Sequence, residues 1–143
     1  MIRLAAIFGV LALVSVVPFP QQDSSQQKPA ASAAPYVIPP NIANQANPVH
    51  PTPAGMEMAK RMYGYDCAMC HGKDGGGDGD MAKDMKAPLK NWHDPAAFKG
   101  MTDGELFYII QKGKGEMPAE GDRQNADGIW NMVTLVRSFS KKH

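Results

Sequence analysis

An all-α fold is predicted by three observations on this 143-residue chain. Apolar residues recur at helical spacing in three windows, and no window alternates apolar and polar residues as a half-buried strand does. The segments between those windows are long and rich in Gly, Pro and Asp, as irregular loops are. The first helix is expected from Pro53 to about Asp66, with Thr52 as cap, Pro53 at the first helical position, and Met56, Ala59 and Tyr63 near helical spacing. The second opens with Thr102-Asp103-Gly104-Glu105, a capping-box match, presents Leu106, Ile109 and Ile110, and stops at Gly113. The third is expected from about Asp127 to Ser138, where Ile129, Val133 and Val136 recur at i, i+4 and i+7 and Trp130 and Leu135 widen the stripe.

Composition divides the chain into three. Residues 1–20 open with one cation, Arg3, and an apolar run from Leu4 to Val17, too short to span a bilayer comfortably. They read as a signal peptide or N-terminal anchor, and the nearest small-x-small match, Ala31-Ser32-Ala33, lies well downstream. Residues 21–53 are dominated by Pro, Gln, Ala and Ser and read as a flexible, partly polyproline-like linker. Residues 54–143 form the expected domain, small enough that a side-chain core alone is modest and a cofactor would enlarge it. Lys plus Arg number 15 against 14 Asp plus Glu, a formal charge of +1, so nucleic acid is not an expected partner. The two cysteines lie three positions apart and cannot build a disulfide framework.

Cys67-Ala68-Met69-Cys70-His71 is the CxxCH pattern of covalent haem attachment. Two thiols about one helical turn apart can each add to one vinyl group of a single porphyrin, and the adjoining imidazole can face the iron. A thioredoxin-like redox pair would want a βαβ context, and a zinc site would want a second ligand pair; the sequence offers neither. For the sixth iron position the candidates are Met81, Met85, Met101, Met117, Met132 and His93. The ligand must come from the opposite porphyrin face, which disfavours Met81 and Met85 close after His71, and Met132 belongs to a helical stripe. Met117 lies in Lys112-Gly113-Lys114-Gly115-Glu116-Met117-Pro118, where glycines allow close backbone approach and Pro118 bars a helix. Met117 is the expected ligand, with His93 the leading rival.

Residues 54–143 resemble a class I c-type cytochrome of the small bacterial type. The resemblance rests on Gly55 to His71, the Gly72 to Gly79 loop, Thr102 to Gly113, Gly115-Glu116-Met117-Pro118 and Ile129 to Phe139. It implies three main helices and long loops wrapped around one covalently attached haem c. It further implies that the first and last helices cross and pack aromatics, here Tyr63 and Trp130. Two positions depart from the common pattern: Ala59 stands where many relatives carry glycine, and Met81 where proline is frequent. The carbonyl that orients the histidine ring in the family has only Pro88 as a candidate.

The remaining signals are weaker. Asp74-Gly75-Gly76-Gly77-Asp78-Gly79-Asp80 lacks EF-hand ligand spacing and a P-loop lysine, and reads as a flexible turn beside the haem. Lys73, Lys83, Lys86, Lys112 and Lys114 flank the expected haem-edge loops and could steer a redox partner. A haem held by His71 and Met117 has no open coordination position, so an electron carrier rather than an enzyme is expected. It would shuttle single electrons between a donor and an acceptor protein outside the cytoplasm. The alternatives are a permanent subunit of a larger membrane redox complex, or a peroxide-reactive haem protein if methionine ligation is labile.

Overall fold

The Thr52 hydroxyl accepts the Gly55 amide at 3.1 Å and Pro53 takes the first helical position, so a helix starts where the cap chemistry places it. This computed structural model describes residues 35–141, which belong to one unit, Ala31–His143. Its elements run α1 (Pro40–Ala43), α2 (Pro53–Met62), a π-helical turn (Tyr63–Cys67), α3 (Ala68–His71), α4 (Asp80–Asp84), a 3-10 turn (Pro95–Phe98), α5 (Asp103–Lys112) and α6 (Ala126–Phe139). The fold is all-α, and β pairing among the described residues is one isolated bridge, Lys114 with Met117. The expected signal peptide or anchor, residues 1–20, and the first part of the linker lie outside the described residues.

The three long helices stand within a few residues of their expected bounds because their end signals are local. At α5 the Thr102 hydroxyl accepts the Glu105 amide at 3.1 Å, and Glu105 accepts the Thr102 amide at 2.8 Å, a closed capping box. At α6 the Asn125 side chain accepts the Gly128 amide at 2.9 Å. The first helix differs from expectation. It does not stop at Asp66 but passes through a π turn and continues as α3 to His71, so the whole CxxCH motif is helical. A π turn closes over one more residue than an α turn, and such insertions are frequent at functional sites.

The core lies where α2 and α5 pack on α6. Ile129, Met132 and Val133 on α6 are essentially inaccessible to solvent, and full burial of such a side chain is worth about 1.5–3 kcal/mol. Arg137 on α6 ties down the start of α5, donating to the Asp103 carboxylate at 3.0 Å and to the Met101 carbonyl at 2.6 Å. The aromatic packing corrects what the resemblance implied. Tyr63 rests on Phe139 with ring centres 5.1 Å apart, whereas Trp130 stacks on Phe107 at 4.2 Å. Gly55 abuts Asn131 near the start of α6, and Tyr63 meets Phe139 at its end, so the two helices advance in the same sense. Trp130 is therefore nine residues, roughly 13 Å of helix, from the place where Tyr63 packs.

Residues 36–49, within the stretch that composition reads as linker, lie against α5 and α6. Asn47 donates to the Trp130 carbonyl and to the Thr134 hydroxyl, both at 3.0 Å. Ile42 and Val49 pack on the core, and Tyr36 meets Tyr108 edge-on at 6.1 Å. The Thr102 hydroxyl also donates to the Ala43 carbonyl at 2.5 Å. At Gly104 an added Cβ would lie 1.8 Å from the Ile42 carbonyl oxygen, so only glycine lets this strap cross the first turn of α5. Proline-rich chain can lie ordered at small cost when a few apolar and amide anchors hold it, because proline has already narrowed its unfolded conformations.

Candidate functional site

The π turn and α3 present Cys67, Cys70 and His71 in sequence, all half-buried. Both cysteines are free thiols. Burial first, then the neighbouring carboxylates of Glu120 and Asp66, push the Cys67 thiol up to about 12. Cys67 and Met117 pack against the same apolar core. His71 Nδ1 is buried and has no hydrogen-bond partner, and burial lowers the ring's pKa, which favours the neutral imidazole. A neutral imidazole is a metal donor. With Nδ1 unpartnered, the Pro88 carbonyl does not orient the ring. Its place is taken by packing: the Trp92 indole stacks on His71 at 4.2 Å with the planes 20° apart.

Trp92 in turn lies 6.1 Å from Phe98 and 6.3 Å from Phe139, so the imidazole is backed by an aromatic wall anchored in α6. The glycine loop closes this wall. The Trp92 amide donates to the Gly75 carbonyl at 2.8 Å, the Gly77 amide to the His71 carbonyl at 2.8 Å, and the Tyr63 hydroxyl to the Gly72 carbonyl at 2.7 Å. Gly75 has φ +86°, and a Cβ there would meet Phe139 at 2.8 Å and Trp92 at 3.0 Å. The loop expected to be a flexible turn is thus laid down against α6.

Met117 sits on a short loop whose two ends hold each other. The Lys114 amide donates to the Met117 carbonyl at 3.0 Å and the Met117 amide to the Lys114 carbonyl at 3.1 Å. The other candidates are differently placed. Met132 is buried inside the α6 stripe, Met81 and Met85 are exposed, and Met101 packs on the core. His93 Nε2 lies 3.0 Å from the Asp74 carbonyl, tied to the glycine loop. A cleft of about 1050 Å³ runs beside α3, where Tyr65, Met69 and Met81 line it with Lys60, Lys73 and Lys83. Asp74, Asp78, Asp80 and Asp84 share its walls, so the lysines there face carboxylates and do not form a uniformly basic surface.

Sequence reasoning missed the stack of Trp92 on His71 and the cluster of Asp66, Glu120 and Arg123. In that cluster Arg123 Nη1 lies 3.3 Å from Asp66, and Arg123 Nη2 donates to the nearly inaccessible Glu120 carboxylate. Glu120 and Arg123 at i, i+3 were a visible hint, but Asp66, far away in sequence, was not.

Residues 54–136 match the model of the family described as cytochrome c oxidase, cbb3-type, subunit III. The chain belongs to that family. Among solved structures it is similar to a chain of the Kuenenia stuttgartiensis reducing HAO-like protein complex, at 24% identity and a TM-score of 0.54. The match covers 64% of this chain and 46% of that one, so the chain spans about half the length of that neighbour, and the likeness concerns the fold. The fold is that of a class I c-type cytochrome, and the family carries haem c covalently and uses it in electron transfer. The donor set at α3 fits the group: two unpaired thiols one turn apart and a buried, neutral imidazole with an unsatisfied nitrogen. Among the described residues no helix is long and apolar enough to cross a membrane.

Proposed function

We propose that the protein is a one-electron carrier in which Cys67 and Cys70 attach haem c through thioethers, His71 is the proximal ligand and Met117 the distal one. The observation that carries the reading is the helical CxxCH motif, with His71 buried, neutral and short of one hydrogen bond, set beside a wall of Trp92, Phe98 and Phe139. When bound, haem c supplies a one-electron couple at its iron. The chain's own work is to fill the coordination positions, to exclude water and to hold the ligands still. Trp92 fixes the imidazole plane by stacking, and the Lys114–Met117 bridge fixes the methionine loop. A thioether ligand and a low-dielectric surround both favour the reduced state and raise the potential. With His71 and Met117 both holding the iron, no position would be left for peroxide or oxygen, which argues for a carrier and against an enzyme.

The partners under this reading are a donor and an acceptor redox protein outside the cytoplasm. Residues 1–20 act as export signal or anchor and 54–143 as the haem domain; of the 21–53 stretch read as linker, residues 36–49 pack on that domain and only the part upstream of them is left to act as linker. A second reading draws on the family, whose description is that of an oxidase subunit: the protein is then a fixed electron-transfer subunit of a larger complex. Co-migration of the haem with a larger membrane-fraction complex would support that reading, and a freely released single chain would support the shuttle.

The test is the visible spectrum of protein made in a host with exported haem attachment. A low-spin reduced spectrum with a methionine-to-iron band in the oxidised form is expected. Met117→Leu should abolish that band and lower the potential, each tenfold loss of ferrous preference reading as about 59 mV. An unchanged band and potential in Met117→Leu would sink the ligand assignment.

A further inference from the structure

The loop that carries Met117 is held internally by its own bridge and at both ends by backbone hydrogen bonds to α5. The Gly113 amide donates to the Ile109 carbonyl at 2.8 Å, the Glu120 amide to the Ile110 carbonyl at 3.0 Å, and the Gly121 amide to the Gln111 carbonyl at 3.1 Å. These bonds do not set the distance from the loop to the CxxCH motif. Beyond the shared apolar packing, a directed polar link between the two among the described residues runs through Arg123. Arg123 points one guanidinium nitrogen at Asp66, the residue before Cys67, and another at Glu120, three residues after Met117. Glu120 is 3% exposed, and its second oxygen, Oε2, is buried without a partner. A carboxylate in such a place is costly unless paired, and Arg123 supplies the partner.

We propose that Arg123 is a positioning residue for the distal ligand: it latches the Met117–Glu120 segment to Asp66 and so holds the methionine loop at its working distance from the attachment helix. The proposal rests on the reading of Met117 as the distal ligand. Arginine suits the task better than lysine, because its fork spans two separate carboxylates while an ammonium is a single point.

In the latched protein the loop methionine outcompetes added ligands, and loosening the latch raises the fraction of time the sixth position is open. The experiment is an imidazole titration of the oxidised, haem-loaded full chain, read at the methionine-to-iron band, alongside thermal unfolding. Arg123→Gln should bind imidazole up to about fivefold more tightly than the unaltered chain, the range expected for loss of a partly exposed charge pair. Asp66→Asn should do the same, the double variant should add little to either, and Arg123→Lys should fall between. If Arg123→Gln fails to fold because Glu120 is left bare, Arg123→Gln with Glu120→Gln removes that charge and still lacks the latch. Unchanged imidazole affinity in these variants, with the band present in the unaltered chain, overturns the latch and leaves Met117 ligation standing. A fall in melting temperature alone, without tighter imidazole binding, also overturns it. Absence of the band from the unaltered chain overturns Met117 ligation, and the latch with it.

Discussion

The framework of α2, α5 and α6 and the loops that carry the site are held by different forces. The framework is dry and apolar: Ile129, Met132 and Val133 are sealed in the core, and Phe107 stacks on Trp130. The loops contribute few core residues and are held by single directed contacts, such as the Tyr63 hydroxyl on Gly72, the Gly75 carbonyl on the Trp92 amide, and Arg123 between Asp66 and Glu120. Burial in the framework is spread over many atoms, so it sets stability. Directed bonds in the loops contribute less free energy each but fix where His71 and Met117 lie. A mutation in the first region should therefore cost the fold, and one in the second should cost the geometry.

The largest effect tests the framework. Ile129→Ala removes three buried carbons where relaxation is limited, and should destabilise the protein by about 2–5 kcal/mol in denaturant unfolding, with the haem spectrum of the surviving fold unchanged. A spectral change of the folded state would show that the two regions are not separable. Tyr63→Phe is smaller, because it removes one hydroxyl and leaves the Gly72 carbonyl without that donor. It should cost about 1–3 kcal/mol and raise hydrogen exchange at the Gly77 and Trp92 amides more than in α6. Equal loss of protection in α6 would erase the distinction.

A third effect concerns protons on Cys67 before haem is attached. Its thiol, at 9.0 when unperturbed, is pushed to about 12 in the fold, so between those values the folded chain binds more protons than the unfolded one. Stability of the haem-free fold should then fall as pH rises from about 9 to about 12, and Cys67 should alkylate slowly near pH 8. Fast alkylation there, equal to that in denaturant, would mean that the framework does not close around Cys67 until haem is attached.

The framework was legible because its determinants are local or periodic. The Thr102 and Glu105 capping box, Asn125 before α6, and the Ile129, Val133, Val136 stripe can each be read within one window. The CxxCH motif and its placement at the end of the first helix were legible for the same reason. The stack of Trp92 on His71, the strap of residues 36–49 and the link from Arg123 to Asp66 were not, because each depends on partners brought together only by the closed fold. The π turn was invisible too: nothing in Tyr63-Gly64-Tyr65-Asp66-Cys67 distinguishes it from a continuing α-helix or its end. The residue pattern identifies Tyr63 as packing on α6, but its partner there is Phe139 and not Trp130, because no local signal gives the sense in which α2 runs along α6.

The strap has a mechanical consequence. Its carbonyls at Ile42 and Ala43 sit on the first turn of α5, and Asn47 grips α6 by the Trp130 carbonyl and Thr134. A pull on the chain from upstream of Tyr36 is therefore borne first by the edge contact with Tyr108 and the Lys114 ammonium 5.3 Å from the Tyr36 ring, then by α5, and by α6 only after that. The load reaches Asn47 before it reaches Thr52 and α2, so the helix leading into CxxCH is shielded from strain arriving along the chain.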